Sequence, residues 1–171
     1  EESGQIAEID RWVLENAIGQ LKIWLQQKSI NVLPVAINLS ASLFSKDGFV
    51  DELNILLHSS GVPPNLIEFE ITEHVATYDI NKTLATLNEL KKIGVGLAID
   101  DFGTGYSSLS YLKRLPLDQI KIDQGFVRDV LNDPKDAAIA HTIIVLADLL
   151  GLAVIAEGVE TKEHESFLAE E

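Results

Sequence analysis

Apolar positions recur near helical spacing from about Ile9 to Gln27. Ile9, Trp12, Val13, Ala17, Leu21 and Trp24 carry the pattern, which predicts a first helix. A strand is predicted over Val32 to Leu39, entered through Pro34. Helical spacing returns from about Phe49 to Ser59 and stops at Gly61, ahead of Pro63-Pro64. Leu66 to Ile71 predicts a second strand, carrying Glu68 and Glu70. A helix over Asp79 to Lys92 then stops at Gly94, a suitable C-cap. Val95 to Ile99 is the third predicted strand. A helix near Ser107 to Lys113 is broken by Pro116, and Gln119 to Ile122 makes a fourth strand. Asp136 to Leu150 is a strongly apolar helix ending at Gly151. Leu152 to Ala156 is a wholly apolar fifth strand, and about Lys162 to Leu168 is helical.

This is a helix-first β/α series. Apolar strands separated by helices imply parallel pairing with both sheet faces covered. A β/α barrel and an open doubly wound sheet both satisfy the pattern. No G-x-G-x-x-G follows the first strand and no G-x-x-x-x-G-K-[ST] occurs, which lowers dinucleotide and nucleoside-triphosphate binding.

Polar residues at the strand ends favour the barrel. Asn38, Glu70, Asp100 with Asp101, Lys121 and Glu157 each stand at or near the C-terminal end of a predicted strand, separated by 32, 30, 21 and 36 residues. In a parallel barrel all those ends share one mouth. In an open sheet they spread along an edge. Each residue has a plainer reading. Asn38 could satisfy turn backbone, and Glu70 and Glu157 could be solvated strand ends. Glu73, three residues after Glu70, could cap the next segment or brace a loop. Lys121 lies between Ile120 and Ile122, so its side chain points away from theirs, and a buried lysine needs an acidic partner. Asp100 and Asp101 close the third strand before Phe102-Gly-Thr-Gly-Tyr-Ser-Ser108. Adjacent carboxylates repel, and a divalent cation is the usual reason for both to stay ionised.

Composition narrows the chemistry. The 171 residues suit one domain with a sizeable core, at 46% hydrophobic and 23% charged. There are no cysteines, which removes disulfides, thiolate nucleophiles and thiolate metal sites and permits the cytoplasm. The net charge of −14 argues against coating duplex nucleic acid or an anionic membrane. No apolar run approaches a membrane span, and Glu1-Glu2-Ser3-Gly4 does not resemble a signal peptide. Oxygen donors point to a hard cation, magnesium or manganese, with calcium as competitor. His58, His74, His141 and His164 form no metal-ligand spacing. Three read as surface residues, and His74 stays a weak candidate for ligand contact. Ser107 and Ser108 read as caps of the helix that starts there.

Asp100-Asp-Phe-Gly-Thr-Gly-Tyr-Ser-Ser-Leu109, Leu115-Pro-Leu-Asp-Gln-Ile-Lys-Ile-Asp123 and Ala156-Glu-Gly-Val-Glu-Thr161 resemble the signatures of EAL domains. So do Ile37-Asn-Leu-Ser40 and Glu70-Ile-Thr-Glu73, in the family's order. The resemblance covers essentially the whole chain. It implies an α/β fold, a TIM-like (β/α) barrel of the EAL type. It also implies a bacterial cyclic di-GMP phosphodiesterase, opening the cyclic dinucleotide to linear pGpG with a metal-activated water. By resemblance, Asn38, Glu70, Asp100, Asp101 and Glu157 are metal ligands at a two-metal centre of Mg2+ or Mn2+, with Ca2+ inhibitory. Asp101 serves the second metal and Lys121 holds or polarises the attacking water. Lys121, Glu157 and Asp101 form the catalytic set, and Glu73 anchors the loop from Asp101 to Ser108, which couples dimerisation to metal and substrate binding. A homodimer fused to sensory or other signalling domains is implied. So is a cytoplasmic location, with any membrane anchor lying in other domains.

Against the family pattern, residues 1–171 read as an internal portion of an EAL domain. Glu1-Glu2-Ser3-Gly4 matches a stretch just after the name-giving Glu-Ala-Leu, and a later Gln-Gly-Tyr-type segment is expected beyond Leu168. The expectation is therefore an incomplete barrel, and a 171-residue piece that is slow or inactive by itself. Two alternatives stand beside the enzyme. One is a receptor that binds cyclic di-GMP without cleaving it. The other is a scaffold that binds neither, against which the full set of strand-end residues speaks.

Overall fold

The computed structural model describes residues 5–27, 31–105 and 109–171. Its strands form one five-stranded sheet in the order β1-β2-β3-β4-β5, with β1 and β5 at the two ends of that order. The strands are β1 (Val35–Asn38), β2 (Ile67–Thr72), β3 (Gly96–Phe102), β4 (Gln119–Ile122) and β5 (Ala153–Ala156). The helices are α1 (Gln5–Leu25), α2 (Ala41–Phe44), α3 (Phe49–Ser60), α4 (Glu73–Tyr78), α5 (Ile80–Ile93), α6 (Leu109–Leu112), α7 (Gln124–Asp129), α8 (Pro134–Leu150) and α9 (Lys162–Glu170). The chain divides into two compact units, Glu1–Ile71 with Tyr78–Leu97, and Thr72–Thr77 with Ala98–Glu171.

In the first unit β1 and β2 pair in parallel, and the register sets Asn38 beside Glu70. Ile67, Phe69 and Ile71 alternate onto one buried face of β2, which leaves Glu70 on the other. Phe49 of α3 meets Phe69 edge-on, with ring centroids 6.0 Å apart. The first helix buries Leu14, Ile18 and Leu21, whereas Ile9 and Trp12, counted in the expected apolar face, are exposed. The first strand begins at Val35 and not Val32. Pro34 has no N–H to give a ladder, so it precedes the strand and does not join it. Gly94 ends α5 with φ 100°, as its C-cap reading required.

In the second unit β3, β4 and β5 pair in parallel. The third strand corrects the expected boundary: it runs on through both aspartates to Phe102. Its register with β4 shifts between Ile99 and Phe102, so Asp100 and Asp101 together stand opposite Lys121. One extra residue of this kind is a β-bulge. The fifth strand was expected to be covered on both faces, but Ile155 is 43% exposed, as befits a strand at the end of the order. Helices α2, α4 and α7 were not foreseen. Each has only four to six residues, too few to show a period. The expected helix from Ser107 is described only as α6, and the proposed capping by Ser107 and Ser108 falls outside the described residues.

Candidate functional site

The bulge in β3 builds the centre of the site. Asp101 takes a left-handed backbone (φ 52°), which Asp tolerates better than most residues, and its N–H donates to Asp100 Oδ1 at 3.0 Å. Opposite them, Lys121 projects from β4 on the face away from Ile120 and Ile122. Its Nζ lies 3.0 Å from Asp100 Oδ1 and 2.5 Å from Glu157 Oε1. Glu157 is fixed just past β5 because its N–H continues the ladder to the Ile122 carbonyl at 3.1 Å. Asp100 and Lys121 are buried, as the sequence required of a lysine held by acids.

Asp100, Asp101 and Glu157 each offer an oxygen within 4.8 Å of the others. A fourth acid, Asp123, stands close enough for its charge to act on the Asp101 carboxyl. Burial pushes the Asp101 carboxyl above the ordinary aspartate range, and the charges of Asp100, Asp123 and Glu157 push it further. Lys121 offers one positive charge to this group. An all-oxygen donor set with surplus negative charge fits a hard divalent cation.

Asp123 was quoted in a motif and given no role. It stands two residues after Lys121, just past the end of β4, so carrying the strand's alternation one residue further was the signal that could have found it. Its carboxylate also accepts from the Gly125 N–H at 2.8 Å and so caps α7.

Glu73, at the start of α4, is buried, and its Oε2 accepts from the N–H groups of Gly103 (3.2 Å) and Gly105 (3.1 Å). Both glycines lie close under neighbouring side chains. Gly103 has φ 100°, and a methyl there would come within 3.0 Å of Phe126. A methyl on Gly105 would come within 2.8 Å of the Glu73 carboxylate.

Asn38 and Glu70 are register partners in the first unit, where the Leu39 N–H donates to the Glu70 carbonyl at 2.9 Å. Asn38 is exposed and Glu70 buried. Of the histidines, His58 and His74 are exposed. His141 contacts Glu171, and His164 departs from the surface reading, being half-buried with its Nδ1 enclosed.

A parallel α/β chain that presents carboxylates and a lysine at the C-terminal ends of its strands has the layout of a (β/α) barrel-type fold, whose sites lie at those ends. The sequence matches the EAL domain family over residues 1–171, and the chain belongs to that family. It is 46% identical over 169 residues to the bifunctional diguanylate cyclase/cyclic di-GMP phosphodiesterase MucR of Pseudomonas aeruginosa, covering 98% of this chain and 24% of that protein. It is 43% identical over 170 residues to the cyclic di-GMP phosphodiesterase NbdA of the same organism, covering 99% and 22%. The solved phosphodiesterase PaMucR in complex with c-di-GMP superposes with a TM-score of 0.92 at 42% identity, over 99% of this chain and 73% of that one. The chain thus spans about a quarter of the length of the curated relatives it matches. Among the described residues no helix is long and apolar enough to cross a membrane.

Proposed function

We propose that the protein carrying this chain is a cyclic di-GMP phosphodiesterase that hydrolyses the cyclic dinucleotide to linear pGpG. The observation that carries this reading is the convergence of Asp100, Asp101 and Glu157 within 4.8 Å, beside the buried Lys121. The names and ligands of its relatives support the same substrate.

Asn38, Glu70, Asp100, Asp101 and Glu157 would hold two Mg2+ or Mn2+ ions, with Asp100 shared and Asp101 serving the second. When bound, such ions would neutralise the phosphodiester, lower the pKa of a water and stabilise the departing oxygen. Calcium accepts the same donors in a looser, larger shell, and is expected to inhibit. Lys121 holds the attacking oxygen and the charge that develops on the phosphoryl oxygens. Glu157, at 2.5 Å from Lys121, receives the proton that water gives up. The new bond joins the water oxygen to phosphorus, and the P–O3′ bond breaks. The 3′ oxygen leaves and takes up one proton from solvent to become a hydroxyl, and the other end of the product carries a 5′-phosphate. Glu73 anchors the segment after Asp101 and so couples the second metal position to the loop.

The same reading takes residues 1–171 as the internal portion of an EAL domain. That domain works in the cytoplasm as a homodimer and is fused to sensory or other signalling modules. The test follows cyclic di-GMP and pGpG by chromatography, using the natural protein with Mg2+ or Mn2+ and again with a chelator. Metal-dependent pGpG is the expected outcome. Tight binding of cyclic di-GMP with no pGpG would replace the enzyme with a receptor.

A further inference from the structure

Helix α4 grips the segment after the bulge at its beginning through Glu73, which accepts from Gly103 and Gly105. The same short helix is gripped a second time. Tyr111 of α6 is buried, and its hydroxyl donates to the Ala76 carbonyl at 2.5 Å. Ala76 lies in the last turn of α4, where helix carbonyls have no intrahelical partner. The residues Thr72–Thr77 accordingly pack with Ala98–Glu171, although the chain on either side of them belongs to the other unit. Deleting the hydroxyl would leave a buried carbonyl without this donor.

We propose that Tyr111 is a positioning residue for the Asp101 side of the metal site. Resting on the phosphodiesterase reading, it deepens that reading. The Tyr111–Ala76 bond fixes α4, α4 fixes the Glu73 carboxylate, and Glu73 fixes Gly103 and Gly105. Gly103 is two residues from Asp101, whose left-handed backbone sets the direction of its carboxylate. Thr104 Oγ1 bonds the Asp101 carbonyl at 2.8 Å and ties the same residues together. Tyr111 itself touches no reacting atom.

Tyr111→Phe keeps the ring packing and removes only the hydroxyl. Thr83→Val, at a buried position of α5, is the control for removing a buried hydroxyl away from the Tyr111–Ala76 bond. Two measurements are made on the natural protein: Mn2+ affinity by calorimetry without substrate, and amide hydrogen exchange at Gly103 and Gly105. We expect Tyr111→Phe to weaken Mn2+ binding about tenfold, the low end for loss of an outer-shell support. The two amides should exchange about fivefold faster, the equivalent of one lost hydrogen bond. Thr83→Val should leave both unchanged. Wild-type Mn2+ affinity and wild-type exchange in Tyr111→Phe would overturn the proposal, as would equal losses in both variants. Absence of Mn2+ binding by the wild-type protein would sink the phosphodiesterase reading itself, so the two failures look different.

Discussion

Lys121 and Glu157 form a 2.5 Å ion pair between β4 and the end of β5, with Asp100 completing the contact from β3. The Lys121 and Asp100 side chains are 9% and 12% exposed, whereas that of Glu157 is 33% exposed, so solvent screens one partner. Lys121→Met should cost about 2 kcal/mol without metal, between the small value of an exposed pair and the larger one of a fully buried pair. For a chain of this size, that lowers the melting temperature by about 6 °C. Turnover should fall about 100-fold while cyclic di-GMP binding survives, since the ammonium acts on charge that appears during reaction.

Asp101 ties stability to pH. Its carboxyl is raised above the ordinary range, chiefly by burial. A raised folded-state pKa contributes stability that is present below the unfolded value and lost as pH rises through the folded one. Asn at this position accepts the left-handed backbone and carries no charge. Metal-free Asp101→Asn should therefore melt about 2 °C above wild type at neutral pH and lose that advantage as pH drops through the carboxylate range. Added Mn2+ should reverse the order, because only the carboxylate gains from the ion. Melting curves with and without a chelator check both halves.

The glycines beside Glu73 set different penalties. Gly105→Ala forces the Glu73 carboxylate to withdraw, since the methyl would sit 2.8 Å from it. Mn2+ affinity should drop about tenfold, as for other outer-shell losses. Gly103→Ala adds backbone strain at φ 100° to a 3.0 Å approach to Phe126, and should cost about 2 kcal/mol in urea unfolding.

In the first unit, Ser40 caps α2: its Oγ accepts from the Leu43 N–H at 3.1 Å and donates to Asp10 of α1. Ser40→Ala should lose about 1 kcal/mol of stability by calorimetry, the usual cost of a lost N-cap. Asp10→Asn, which keeps an acceptor oxygen, should lose less.

Alternation made much of the site legible in the sequence. Lys121 sits between two buried isoleucines, so the opposite face and the need for acid partners followed directly. Glu157 was found because a wholly apolar strand stops at a carboxylate. The bulge was hidden, because an extra residue in a ladder leaves no period in the sequence. The third strand was therefore ended at Ile99 when it continues to Phe102. Asp123 escaped for a related reason: β4 has only four residues, too few to draw attention to its alternation. On α1, the stripe through Ile9 and Trp12 fits helical spacing nearly as well as the buried set Leu14, Ile18 and Leu21. Periodicity alone could not choose between two apolar faces.

The most direct test of the central claim runs the natural protein on cyclic di-GMP and Mn2+ in heavy-oxygen water, with the product read by mass spectrometry. Attack by a water held beside Lys121 and Glu157 puts a single heavy oxygen on the terminal 5′-phosphate of pGpG, and a chelator abolishes the product. Cyclic di-GMP that stays intact while bound, or pGpG that carries no heavy oxygen, would contradict it.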